Sequence, residues 1–285
     1  MTLSVLVPSS LTREAPDKRS ATRKIGTVAR AAVVFGVDRI TVYPDPDGES
    51  ARGGGFVATV LAYAATPPDL RKEVWDRRDE LEYAGVLPPL RVGTRTGSGS
   101  DDSGSLRQGL VTEVGSDGRV RVNCGLQHPI SLPVPGDRSV REGERVTVRI
   151  SSRRPVRAKI VDHAPPGYSV DRADLDTALD RPDAGLRVAT SRHGVATTTG
   201  RLDRLVGAIA ERDGMTVAFG APERGLPAIL DRDPPAATEL PANLESGSDG
   251  DRFDLWLDTI PDQGSEVVRT EEAAIATLAC LTLTE

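Results

Sequence analysis

The feature that most constrains the fold is a strand–loop–helix stretch near the C-terminus, residues 253–273. Phe253, Leu255 and Leu257 alternate with Asp254, Trp256 and Asp258, a two-residue period that reads as a β-strand. The run breaks at Pro261 and turns at Gln263 and Gly264. It then reaches Arg269, Thr270, Glu271 and Glu272, which open a helix with Thr270 as candidate N-cap. A strand feeding a glycine-bearing loop and then a helix gathers backbone N–H groups around a small ligand. An ordinary strand–turn–helix connection fits the same residues. Two strand ends upstream share the pattern. Residues 217–226 pass from a strand into Gly220, Pro222 and Gly225, and residues 186–194 pass from a strand into Thr190, Ser191 and Gly194. Ligands of open α/β sheets sit beyond the carboxyl ends of strands, so three such ends in succession mark a candidate crevice.

The chain before this point has three textures. Residues 3–7 form a short apolar strand, residues 21–35 repeat apolar side chains at helical spacing, and residues 39–43 form a second strand. Helical patterns follow over 56–65 and 69–79, the latter mostly alternating charge that reads as a solvated face. This is β-α-β-α, the start of a parallel sheet. Residues 97–104 are then a Gly/Ser/Asp run with the composition of a flexible connection. Residues 109–161 hold only short alternating strands separated by Gly and Asp turns, the pattern of a small barrel. From residue 166 the α/β rhythm returns, with strands at 186–190 and 215–219 and helices at 200–212 and 223–230. The simplest organisation is one α/β domain made of residues 1–90 and 166–285, interrupted by a β domain of residues 91–165.

Composition narrows the setting. The formal net charge is −6, from 36 Lys and Arg against 42 Asp and Glu, and only Lys18, Lys24, Lys72 and Lys159 are lysines. An acidic, Arg-rich, Lys-poor surface suits a protein kept soluble at high salt, as in a halophilic archaeon; a GC-rich genome gives the same bias. Cys124 and Cys280 make neither a metal cluster nor a disulfide framework. A cleavable signal is not evident at the N-terminus and no apolar run approaches the ~18 residues of a membrane span, so a cytoplasmic location is expected. His128, His163 and His193 are scattered and read first as surface or turn histidines, with His193 nearest a candidate ligand loop.

Together the loops resemble the SPOUT methyltransferases, and within them the RNA methyltransferase branch that carries an inserted OB-like domain. The signature there runs Phe-Gly-x-Pro-x-x-Gly-Leu, then Thr-Ile-Pro-x-Gln-Gly followed by Arg-Thr-Glu-Glu-Ala; residues 219–226 and 259–273 carry both intact. The resemblance implies an α/β fold with a SPOUT-type parallel sheet and a C-terminal trefoil knot, interrupted by a small OB-like all-β barrel. It implies S-adenosylmethionine as cofactor, bound bent, with glycines giving room for backbone approach and prolines stiffening the loops. The residues it assigns to that cofactor are Thr190, Ser191, Gly220, Ala221, Pro222, Gly225, Leu226, Thr259, Ile260, Pro261, Gln263, Gly264, Val267 and Thr270. Backbone groups of Leu226, Ile260 and Val267 would read the adenine edge.

An N-terminal segment extends the likeness. Gly26 is followed four residues later by Arg30, and then by Phe35, Gly36, Val37 and a strand, as in the first motif of many SPOUT enzymes. The family arginine contacts substrate or helps the chemistry, which makes Arg30 the catalytic candidate; a helix-surface arginine in an ion pair is the structural alternative. Lys24 stands where the family pattern has Asn. Arg23, Lys24 and Arg269 are the candidate RNA contacts. The implied function is methylation of ribosomal or transfer RNA by a homodimer, with no metal and no membrane; an RNA-binding assembly factor or a protein methyltransferase on the same fold are the alternatives. The β insert is rich in arginine but has no Phe, Tyr or Trp over residues 91–166, so a stacking platform for single-stranded bases is not expected within it.

Overall fold

Hydrophobic spacing fixes most elements of the computed structural model, which describes residues 1–49, 52–90, 105–136, 139–163, 167–235, 239–240 and 252–283. In chain order these are β1 (Thr2–Pro8), α1 (Lys18–Val34), β2 (Arg39–Tyr43), α2 (Gly54–Ala65) and α3 (Arg71–Val74). Then come β3 (Ser105–Val114), β4 (Arg119–Asn123), β5 (Ile130–Pro133), β6 (Arg145–Arg153) and β7 (Val156–Val161). The chain closes with β8 (Ser169–Arg172), α4 (Leu175–Leu179), β9 (Leu186–Ala196), α5 (Thr199–Glu211), β10 (Gly214–Ala218), α6 (Leu226–Ile229), β11 (Leu255–Asp258) and α7 (Thr270–Leu281). The expected connection at 97–104 and the expected boundary at 165–166 lie outside the described residues.

One compact unit comprises Met1–Ala62, Glu80–Leu90 and Tyr168–Glu285. Its sheet has six strands in the order β11-β9-β10-β1-β2-β8, every pairing parallel. Central β1 is buried from Leu3 onward, as a strand covered on both faces must be. On α1 the repeat Ile25, Val28, Ala29 and Ala32 is buried. The helix starts where the Asp17 carboxylate accepts the Ser20 N–H at 2.6 Å, and the chain leaves it through Gly36 at φ +70°.

The other unit comprises Tyr63–Asp79 and Arg91–Gly167. Its five strands are antiparallel in the order β5-β4-β3-β6-β7, and edge strands β5 and β7 also approach each other, so the sheet curls toward a barrel. On β4 the arginines Arg119 and Arg121 face out while Val120 and Val122 enter a core with Val146, Val148 and Ile160. The protein is therefore mixed α/β, with a parallel sheet and a separate antiparallel near-barrel.

Two local expectations give way to tertiary contacts. The charged run 69–79, which reads as a helix, holds one helical turn only. The backbone becomes extended at Trp75, whose indole N–H donates to Thr66 Oγ1 at 2.9 Å, and without an apolar stripe no packing rewards a longer helix. The expected loop at 190–194 is a continuation of β9. A Cβ at Gly194 would lie 2.6 Å from the Leu257 nitrogen, so glycine lets β11 run directly against β9, with a register shift between Trp256 and Leu257. Edge strand β8 is four residues with little apolar signal, and its pairing to β2 defines it.

Candidate functional site

The middle of β9, at Thr190–His193, and the carboxyl ends of β10 and β11 enclose a cavity of about 440 Å³, within the ~300–1,000 Å³ range of small-molecule sites. Loops from β10 and β11 emerge on either side of β9 and are pinned by side-chain hydrogen bonds. The Tyr43 hydroxyl donates to the Phe219 carbonyl at 2.6 Å, and Thr270 Oγ1 donates to the Gly220 carbonyl at 2.8 Å. Thr190 Oγ1 donates to the Ala218 carbonyl at 2.9 Å. Thr259 and Thr277 share a hydroxyl contact of 2.8 Å, tying the second loop to α7. Gln263 Nε2 donates to the Ser265 carbonyl at 2.8 Å, which folds that loop on itself. Each loop also holds one non-glycine residue in the left-handed region, Glu223 at φ 60° and Asp262 at φ 58°, a local strain of the kind that gathers at ligand sites.

The two central glycines of the first loop do different things. A Cβ at Gly220 would lie 2.7 Å from the Leu226 nitrogen and 2.8 Å from the Gly225 Cα, so its bareness closes the loop on itself. Gly225 lines the cavity, and a Cβ there would meet only Pro227 Cδ at 3.5 Å. In the second loop Gly264 is exposed, and a Cβ there would meet nothing within 4 Å.

Charged groups frame the cavity. Arg224 donates through Nε to both oxygens of buried Asp45, at 3.0 and 3.2 Å, and Asp45 also accepts from Ser10 Oγ. That network joins the ends of β1 and β2 to the first loop and holds Arg224 on the cavity wall. Asp258 ends β11 with Oδ1 accepting the Ile260 N–H at 3.0 Å. Burial pushes its carboxyl above the usual range, opposed by that hydrogen bond, with neighbouring Asp262 adding to the rise and His193 lowering it. Arg192, His193, Arg232, Glu223 and Glu266 also line the cavity.

Of the residues proposed from sequence, Thr190, Ser191, Gly220, Ala221, Gly225, Thr259, Ile260, Gln263, Val267 and Thr270 line this cavity. Pro222, Leu226, Pro261 and Gly264 do not. Pro222 and Leu226 are buried behind the loop, the first with its carbonyl near Arg13 Nη1 at 3.4 Å; Pro261 and Gly264 face solvent. Thr270 is not the N-cap of α7: Arg269 takes that place, its N–H held by Glu272 Oε2 at 2.9 Å, which frees the Thr270 hydroxyl to tie the two loops. Arg30 lies outside the cavity lining, exposed, with Nη1 donating to the Leu90 carbonyl at 2.7 Å. Gly26, one turn earlier, lets the chain at Leu87 and Pro88 lie on α1. Arg23 and Arg269 are exposed, whereas the Lys24 side chain is only 5% exposed and bridges Glu14 and Glu271. Lys24 thus fastens α1 to α7 instead of offering charge to a ligand. Sequence reasoning missed Asp258, Arg224 and Asp45; Asp258 adjoins the Thr259 motif, but the Asp45–Arg224 pair spans 179 residues and leaves no local trace.

Comparison with known proteins decides the family. The pattern of a family described as "Putative RNA methyltransferase" matches residues 2–281. The chain belongs to this family. This methyltransferase is 66% identical over 285 residues to an uncharacterised protein of Haloarcula marismortui, each covered completely. It is likewise 66% identical over 289 residues to an uncharacterised protein of Halobacterium salinarum. It is 30% identical over 316 residues to a human 28S rRNA (uridine-N(3))-methyltransferase, covering 98% of this chain and 77% of the human protein. The family and these relatives make the protein an RNA methyltransferase. Among the described residues no helix is long and apolar enough to cross a membrane, and no group of His, Cys, Asp or Glu is placed to hold a metal.

Proposed function

We propose that this enzyme transfers a methyl group from S-adenosylmethionine to N3 of a uridine in ribosomal RNA. One observation carries the reading: the cavity between the middle of β9 and the ends of β10 and β11 combines a tightly fastened pair of loops with a carboxylate, Asp258, whose second oxygen has no protein partner among the described residues. The human relative's name supplies the target atom. The cavity suits the donor by volume and by lining, since Ile260 and Val267 offer apolar surface while Thr190, Thr259 and Gln263 offer hydrogen bonds. Bare backbone at Gly225 gives a ligand close approach that any side chain would obstruct.

When bound, S-adenosylmethionine supplies an electrophilic methyl group on a sulfonium. The chain's own task is to position the base and to take its proton. Uracil N3 carries a weakly acidic hydrogen, and nitrogen becomes nucleophilic only as that hydrogen leaves. Asp258 accepts it; burial makes this carboxylate a stronger base than an exposed one. Asp45, by holding Arg224, fixes a cation on the wall where a carboxylate or phosphate of a bound molecule would be paired. Arg30, with Arg23 and Arg269 exposed, engages the RNA, while the residues assigned to the cofactor by resemblance serve it directly or through the loops they shape.

The same reading includes a trefoil knot formed by the C-terminal loops, a homodimer whose second copy completes the site, and a barrel inserted at residues 91–165 between the two α/β segments. It places the enzyme in the cytoplasm of a halophilic archaeon. Incubating purified protein with S-adenosylmethionine and ribosomal RNA transcripts, then analysing nucleosides by mass spectrometry, tests it. 3-Methyluridine is the expected product. A different methylated nucleoside corrects the target atom, and label appearing only on protein in a cell extract overturns the reading.

A further inference from the structure

The barrel sequence has no aromatic residue, yet the unit that contains it does. Tyr63–Asp79 belongs to that compact unit and brings Tyr63 and Trp75 with it. Their rings meet edge to face, with centroids 5.9 Å apart. The Arg78 guanidinium lies 5.3 Å above the Trp75 ring, and that of Arg71 lies 4.6 Å from the Tyr63 ring centre. Trp75 is partly exposed and Arg78 is exposed.

The platform is rigid and anchored to the barrel. The Trp75 indole N–H donates to Thr66 Oγ1 at 2.9 Å, and the same hydroxyl accepts from Arg145 Nη2 on β6 at 3.1 Å. Asn123 at the end of β4 donates to Glu73 at 2.6 Å. Arg71 is spent on the Thr66 and Ala64 carbonyls. Arg78 differs: its guanidinium meets no carboxylate among the described residues, and its one described partner is the indole. Arg78 is exposed, so swinging its guanidinium off the indole opens a π-face for an unpaired base and leaves the cation beside it for a phosphate.

We propose that Trp75 and Arg78 form a stacking site for an unpaired base of single-stranded RNA, remote in sequence from every residue of the cavity. The inference rests on the substrate being RNA, and it does not depend on which atom is methylated. Stacking also answers a problem of setting. Phosphate contacts weaken steeply as salt rises, whereas base–aromatic stacking does not release counterions. An acidic protein with relatives in salt-loving archaea gains from an anchor of the second kind.

The test uses the full-length protein and a 12-nucleotide uridine-rich oligoribonucleotide, single-stranded or annealed to its complement. The chain has two tryptophans, and Trp256 is buried at 5% exposure, so stacking quenches the emission of Trp75. Single strand is expected to quench, and duplex is not. Trp75→Ala should weaken single-strand binding about tenfold, with the loss persisting at molar KCl. Trp75→Phe should keep most of the affinity and lose the quench. Arg78→Ala, at an exposed position that spares the fold, should weaken binding at low salt only. Wild-type affinity in Trp75→Ala, or equal quenching by the duplex, overturns the site. Methyl transfer measured on the same samples separates the two readings. Quenching without methylation leaves this site standing, and methylation without quenching leaves only the catalytic reading.

Discussion

Gly220 and Gly225 show how a motif glycine can serve the protein or its ligand. A side chain at Gly220 collides with the backbone of Gly225 and Leu226, so Gly220→Val should deform the loop itself, and its loss of binding would say little about contact. Gly225→Ala is the cleaner probe, because its Cβ meets only Pro227 at an ordinary 3.5 Å. Calorimetry should find this variant folded, with S-adenosylmethionine affinity reduced at least about tenfold, or ~1.4 kcal/mol. Unchanged affinity would remove Gly225 from the ligand wall. Asp258 gives a prediction with a sign in pH. As a base it works only when ionised, and burial raises its pKa, so turnover should fall as pH drops through that raised value. His193 and Asp262 act on it from the cavity rim, in opposite directions. Asp258→Asn should abolish most turnover and flatten the acid limb. Because the folded-state pKa lies above the unfolded one, the ionised carboxylate is a burden on the fold above the unfolded value, relieved as pH falls. The variant should therefore melt no lower than wild type at neutral pH, and a clear fall in its melting temperature would argue that Asp258 is structural. At this scale local sequence and the cavity meet at Thr190, Thr259, Gln263 and Val267, which line it. Lys24, buried between Glu14 and Glu271, was unreadable because both partners are set by the packing of other segments.

Secondary elements were legible in proportion to their apolar periodicity. α1 and β1 carry strong patterns and fold within a few residues of expectation, while α3 and β8 carry weak ones and are set by partners. The loops between elements were legible as motifs but not as fastenings. Thr270 reads as an N-cap, yet it is the side chain that ties the start of α7 to the first loop through the Gly220 carbonyl. Thr270→Val keeps the shape and removes that donor, leaving a carbonyl unsatisfied at a cost of about 1–3 kcal/mol. Chemical denaturation should register this loss, and S-adenosylmethionine affinity should fall with it as the loops part. A Thr270→Ser variant retains the hydroxyl and should restore most of both. If Val and Ser behave alike, the bond is incidental to the loop geometry.

The parallel sheet and the antiparallel near-barrel differ in sequence texture, but the company kept by Tyr63–Asp79 leaves no trace there, since 56–65 and the charged run 69–79 read as two helices. That company alters what excision of the barrel should do. All cavity residues belong to the unit of Met1–Ala62, Glu80–Leu90 and Tyr168–Glu285, so the ligand site carries no residue of the barrel. Deleting residues 97–162 and joining the ends with a short Gly/Ser linker should therefore preserve S-adenosylmethionine binding. It also removes Asn123 and Arg145, the partners of Glu73 and Thr66, and leaves Tyr63, Leu70 and Trp75 without the strands they fold with. The truncated protein is expected to bind the cofactor, to bind single-stranded RNA at least about tenfold more weakly, and to show a less protected 63–79 segment in hydrogen exchange. Salt sharpens the reading. With 42 acidic against 36 basic residues, screening by KCl should raise the melting temperature of the full chain, while the RNA affinity that survives in high salt measures stacking. A deletion protein that keeps full RNA affinity in molar KCl would move the anchor off the barrel unit altogether. One that unfolds cooperatively yet no longer binds S-adenosylmethionine would mean that the barrel unit supports the cavity.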